Sequence, residues 1–347
     1  MAKSYPSQKS ITLDQVSVVL DAENKTVKIV CADAELDKAF ALGVQKGGKL
    51  EKDLLALLNK HNITFPVKEP EPKVIKDTSL IMPTVGNIPT FNPTGKGHVV
   101  SVTSSKPRVG KSTAAVLLAS AFARQPNFIE ENDGYKILVL DLDVMDGEIS
   151  SILKTTSKGS IGIYEEGVIN RETILKHIEY KEDLGIYALP ISDKKVNASG
   201  HLGEQFFCKL LDELKTIFNV IIIDTESNDI AHSNQKAFDI SDVIILASNV
   251  DRSSEYGVRA WLSSYNKNRG NVKKVTTLLT NTPKLQVMAN LDDIRRTFSP
   301  LSILGNVPMD SVGLLSAFRR NDLAGLFDNG NKLAESYILV AERLLKK

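Results

Sequence analysis

The run His98-Val99-Val100-Ser101-Val102-Thr103, continued by Ser104-Ser105-Lys106-Pro107-Arg108-Val109-Gly110-Lys111-Ser112-Thr113, constrains the fold more than any other stretch of the chain. A short apolar run reads as a buried strand, and the Ala/Leu-rich segment from Thr113 to Arg124 reads as a helix. A strand that enters a helix through a loop ending in Gly-Lys-Ser is the context of a phosphate-binding P-loop. In such a loop the backbone N–H groups, here those of Arg108, Val109 and Gly110, and the N-terminus of the helix form a concave site for phosphate oxygens. Gly110 permits close backbone approach, Lys111 neutralises β/γ charge, the Ser112 hydroxyl can ligate magnesium, and Thr113 can bond an α-phosphate.

Two further runs supply carboxylates. The strand Lys136 to Asp143 carries the apolar run Ile137–Leu140 and closes on Asp141 and Asp143, which period two places on one face of the strand end. Phe218 to Thr225 is a second apolar strand with Asp224 at its end, where an aspartate orients magnesium. Carboxylates at the C-terminal ends of parallel strands lie where α/β sheets place ligand chemistry. Beyond residue 98 the alternation of apolar strand and helix continues through Gly185–Leu189, Glu204–Phe218, Val243–Ser248, Glu255–Asn268 and Lys274–Asn281. The expected fold class is therefore α/β: a three-layer, mostly parallel sheet of the P-loop NTPase kind over residues 98–347.

The first 97 residues have a different character. Val16–Leu20 and Thr26–Cys31 predict a short hairpin, and Ala34–Val44 and Leu50–Lys60 carry helical spacing, so residues 1–65 form a small α+β N-terminal module whose role is not written in it. Residues 66–97, with Pro66, Pro70, Pro72, Pro83, Pro89 and Pro93, read as a linker. Composition narrows the partners. Lys plus Arg number 43 and Asp plus Glu 42, so contact with nucleic acid or anionic lipid would need a local patch. Cys31 and Cys208 lack metal-ligand spacing. There is neither an apolar signal core at the N-terminus nor a run near the roughly 18 apolar residues of a membrane span, so a cytoplasmic protein is expected.

Lys106, five positions before Lys111, resembles the second lysine of the deviant Walker A motif of ParA/MinD-type ATPases. The resemblance implies that ATP and Mg2+ are the ligands, that Lys106 reaches the phosphates of a partner copy in an ATP-dependent homodimer, and that Asp143 positions or activates the attacking water. It gives catalytic roles to Lys106, Lys111 and Asp143, and magnesium to Ser112 and Asp224. Asn281 ends a strand similar to the one that contacts adenine in relatives, and Pro308 lies in the run Leu304–Asp310, similar to the last strand and the loop that closes over the base. The chain departs from the pattern at Pro107 and Arg108, where the family has two glycines, and at Glu226 and Ser227, where it has prolines. Pro107 offers no N–H, while Arg108 could bring a guanidinium to the phosphates.

Members of this family position DNA, division proteins, flagella or pili. The appended N-terminal module and Asp141-Leu142-Asp143 with Gly147 look most like the pilus-assembly CpaE/TadZ branch. The expected function is a slowly hydrolysing positioning ATPase for a cargo such as plasmid or chromosomal DNA or a polar surface machine. Its protein partner would dock on the N-terminal module or the dimer surface, with recruitment to the nucleoid or cell pole. The alternative is a hydrolysis-deficient scaffold. Lys273, Lys274, Arg295, Arg296, Arg319 and Arg320 are the candidates for nonspecific DNA contact. Leu333, Tyr337, Ile338, Ala341, Leu344 and Leu345 have core-helix spacing, which favours packing on the sheet over membrane targeting.

Overall fold

The computed structural model describes residues 8–13, 16–21, 26–31, 84–92, 94–125, 137–143, 147–191, 204–227, 232–268, 270–282, 291–328 and 330–345. The chain divides into two compact units, Met1–Lys73 and Val74–Lys347. In the first, β1 (Gln8–Leu13), β2 (Val16–Asp21) and β3 (Thr26–Cys31) form an antiparallel sheet in that order, with Gln8 opposite Asp21 and Val16 opposite Cys31. The expected hairpin is β2–β3; β1 was not read from the sequence. The amphipathic stretches at 34–44 and 50–60 lie outside the described residues.

The second unit is built on an eight-stranded sheet. Its strands are β4 (His98–Ser104), β5 (Ile137–Asp141), β6 (Glu179–Lys181), β7 (Ile186–Leu189), β8 (Val220–Asp224), β9 (Val243–Ser248), β10 (Val275–Thr282) and β11 (Ser302–Pro308). Their order is β11-β10-β9-β4-β8-β5-β7-β6, every pair parallel except β6–β7. The helices are α1 (Lys111–Ala123), α2 (Glu148–Leu153), α3 (Gly159–Glu166), α4 (Arg171–His177), α5 (Glu204–Ile217), α6 (His232–Ile240), α7 (Arg252–Lys267), α8 (Leu291–Phe298), α9 (Ser311–Arg320), α10 (Ala324–Asp328) and α11 (Lys332–Leu344).

The apolar runs are continuous because both sheet faces are covered. On β8, Val220 and Ile222 pack with α1, α2 and α11, while Ile221 and Ile223 face the layer of α3 to α6. On β9, Ile244 and Leu246 lie with Val258, Trp261 and Tyr265 of α7 and Ile294 and Phe298 of α8. The result is the expected three-layer, mostly parallel α/β sheet. Helix α11 packs on this core through Leu333, Tyr337, Ala341 and Leu344, as its spacing predicts.

Part of the Pro-rich stretch belongs to the same core. Val85 and Ile303 exchange backbone hydrogen bonds at 3.0 and 2.9 Å, and the Phe91 N–H donates to the Leu344 carbonyl. The Phe91 ring, 4% exposed, stacks on His98 and meets Phe122. Among the described residues no helix is long and apolar enough to cross a membrane.

Candidate functional site

The loop from β4 to α1 runs over the C-terminal ends of the central strands. Gly110 caps α1 with φ 85°, left-handed backbone for which glycine is suited. Arg108 adopts φ 63°. A residue with a side chain occupies that region at a cost of about 1–2 kcal/mol, so the loop keeps a left-handed turn where the family pattern has glycine. The Arg108 side chain is exposed, whereas Val109 is buried.

Lys111 points back across the strand ends. Its Nζ lies 2.6 Å from Asp224 Oδ1, 3.1 Å from Asp143 Oδ2 and 3.5 Å from Ser112 Oγ. Burial alone would draw the ammonium down, but Asp224 and then Asp143 outweigh it and hold Lys111 above its ordinary value. The register of β5 on β8 sets Asp141 beside Asp224. Asp141 Oδ1 accepts from the Asp143 N–H at 2.9 Å and so orients the start of the next loop. Burial, followed by the neighbouring Asp224, pushes the Asp141 carboxyl well above the usual range. Asp224 is pushed up to about 6, again by burial, with Lys111 opposing.

Lys106 is held elsewhere. Its Nζ reaches both oxygens of Asp251, at 3.0 and 2.9 Å. Asp251 caps α7, accepting from the Ser254 N–H at 2.8 Å. Burial works to raise the Asp251 carboxyl, but Lys106 and this N–H bring it below its ordinary value. The same helix presses on the loop at Gly257, where a Cβ would stand 2.7 Å from Ser105 Oγ.

Residues 97–277 match the model of the AAA_31 family, described as an AAA domain. The chain belongs to this family. No curated protein sequence matches it. Solved structures with the same fold include a ParA family ATPase from Chlorobium tepidum TLS, at 14% identity and TM-score 0.61 over 71% of this chain and 99% of that one. A chain of the MinC:MinD cell division protein complex of Aquifex aeolicus gives 19% identity and TM-score 0.56 over 72% and 98%. The septum site-determining protein MinD of Pyrococcus horikoshii OT3, complexed with Mg-ADP, gives 18% and 0.54 over 71% and 94%. At these identities the likeness is one of fold, and that fold is the ParA/MinD one.

In this AAA domain, Lys111, Ser112, Asp143 and Asp224 converge at one point, and Thr113 follows them on the first turn of α1. Lys106 is paired with Asp251 instead, and the Arg108 side chain is exposed. Asn281, at the end of β10 with φ 49°, turns its Nδ2 to the Val109 carbonyl at 3.4 Å, so it braces the loop in this structure. Pro308 ends β11 and is buried. The sequence did not single out Asp251, Gly257 or Thr280. Asp251 precedes an amphipathic helix, which signals a cap, but its ion pair joins residues 145 positions apart.

A magnesium ion fits the donors present. Asp224 Oδ2 is buried without a hydrogen-bond partner among the described residues, and Ser112 bears a neighbouring hydroxyl. These are hard oxygen donors. Among the described residues no group of three or more His, Cys, Asp or Glu could hold a metal ion.

Proposed function

We propose that this AAA domain binds ATP with magnesium, dimerises around the nucleotide, hydrolyses it slowly and uses the cycle to localise a cargo. The observation that carries this reading is the buried Lys111–Asp143–Asp224 constellation at the mouth of the P-loop, with the Lys106 ammonium held by Asp251. A buried lysine paired with carboxylates can exchange them for phosphate oxygens without leaving its own charge unpaired. The triphosphate would be held by Lys111 and the loop amides from Arg108 to Ser112, and by Thr113. Ser112 and Asp224 would hold magnesium, which supplies charge neutralisation at the β- and γ-oxygens. Asp143, 3.1 Å from Lys111 Nζ, would position or activate the attacking water. Asn281 and Pro308 would border the base.

Lys106 would leave Asp251 for the phosphates of a second copy, which ties dimerisation to nucleotide. The cargo class is DNA or a polar surface machine, and the DNA arm draws support from the partition roles named for proteins of this fold. These include a plasmid partition protein from Borrelia burgdorferi B31 bound to AMPPNP, at 19% identity and TM-score 0.51 over 72% of this chain and 98% of that one. A protein partner would dock on the N-terminal unit or the dimer surface.

Light-scattering mass with and without ATP and magnesium tests the reading. The wild type should double in mass on ATP, Lys106→Ala and Lys111→Ala should not, and Asp143→Ala should dimerise yet lose turnover. Normal turnover in Asp143→Ala would remove its assigned role. A wild type that binds ATP without turnover would favour the scaffold alternative, and one that binds no nucleotide would end the proposal.

A further inference from the structure

The P-loop is anchored from below by a residue that the ATP reading does not use. Thr280, near the end of β10, is 2% exposed, and its hydroxyl lies 2.6 Å from the Val109 carbonyl. Two other acceptors, the Ser248 carbonyl at 3.3 Å and Asn249 Oδ1 at 3.2 Å, are more distant. A hydroxyl has one proton to give, and the shortest contact takes it. Asn281 adds a longer bond to the same carbonyl at 3.4 Å.

The consequence follows from the planarity of the peptide unit. The Val109 carbonyl and the Gly110 N–H belong to one trans peptide and point in opposite directions. Tying the carbonyl down to β10 therefore aims the Gly110 N–H away from the sheet, toward the concave side of the loop. Gly110, at φ 85°, has no Cβ to restrict this peptide to one orientation, so the backbone by itself does not fix it. The strand that ends in the base-side Asn281 thus also sets the direction of a phosphate-side amide.

We propose that Thr280 is a positioning residue for phosphate binding, which holds the Val109–Gly110 peptide in its ligand-ready orientation through its hydroxyl. The proposal deepens the ATP reading and rests on it for the identity of the ligand. The hydrogen bond can be tested in nucleotide-free protein, separately from ligand affinity.

The test compares full-length wild type with Thr280→Val, which keeps the volume and loses the hydroxyl, Thr280→Ser, which keeps the hydroxyl and loses a buried methyl, and Thr280→Ala, which loses both. In nucleotide-free protein, amide hydrogen exchange over residues 105–113 should quicken about tenfold in T280V and T280A, the effect of one lost hydrogen bond, and stay at the wild-type rate in T280S. Affinity for ADP and for inorganic tripolyphosphate should fall by about the same factor in the same two variants. A purely structural role would instead make loop exchange follow melting temperature, with T280S worse than T280V. That order, or wild-type exchange in both T280V and T280A, would overturn the proposal. If the wild type binds neither ADP nor tripolyphosphate, the ATP reading fails while the exchange comparison still decides the role of Thr280.

Discussion

Asp224 shows how this site sets its own stability against its chemistry. Its carboxyl is wholly buried beside Asp141, and it binds a proton more tightly in the folded chain than a free aspartate does, with a pKa near 6 against about 3.9. Such a group favours the fold in acid, and its contribution declines as pH rises through that window. Asp224→Asn removes the titration while keeping the shape. Nucleotide-free Asp224→Asn is therefore expected to lose this pH dependence, so that its stability relative to wild type rises from pH 4 to above pH 6, on top of the pH-independent cost of removing the Lys111 ion pair. Urea unfolding across that range measures the difference, and a relative stability that falls over the same range would contradict the burial argument. Magnesium-dependent turnover should be lost in the same variant. That Lys111, Ser112 and Asp224 come together was legible in the sequence, because a Gly-Lys-Ser loop between a strand and a helix and an aspartate at the end of a buried strand both mark the C-terminal edge of the sheet. Thr280 was not, since one buried threonine at a strand end carries no periodicity, and its acceptor lies 171 positions away.

At the scale of elements, α7 grips the loop at two points six residues apart, the Asp251 cap that holds Lys106 and the Gly257 surface against Ser105. An alanine inside a helix ordinarily gains about 1 kcal/mol over glycine. Here the added methyl would meet Ser105 Oγ at 2.7 Å and its Cβ at 3.1 Å, and overpacking of that kind costs about 1–3 kcal/mol. Gly257→Ala should thus lower the melting temperature and weaken ATP binding together, since the loop must shift to admit the methyl. A rise in melting temperature with unchanged ATP affinity would mean that the helix does not bear on the loop. The legibility of elements follows the same physics. β4, β5, β8 and β9 could be read because burial on both faces forces unbroken apolar runs. β6 could not: Glu179–Lys181 is three residues of a polar edge strand, paired antiparallel on one side only. α2 to α4 are six to eight residues long, too short for a helical period to stand out.

At the scale of the whole molecule, the second unit closes its core with residues that composition alone assigned to a linker. Proline density correctly disfavours a central strand, yet it does not preclude the single bridges that Val85 and Phe91 make with Ile303 and Leu345. Burying a phenylalanine contributes roughly 2–3 kcal/mol, and the backbone bonds at Val85 and Phe91 add about 1 kcal/mol each. Two truncations separate the boundaries. A chain beginning at Val74 retains every one of these contacts and should unfold at the temperature of the larger unit in the full-length protein, with its ATP affinity intact. A chain beginning at His98 loses them and uncovers Phe122 and the end of α11. Its melting temperature should fall by roughly 10 °C, the shift that about 3–5 kcal/mol produces in a domain of this size. Equal melting of the two chains would place the boundary of the unit at β4 and reduce the Val85 and Phe91 contacts to surface decoration, whereas the expected drop makes residues 84–92 part of the fold that positions the phosphate loop.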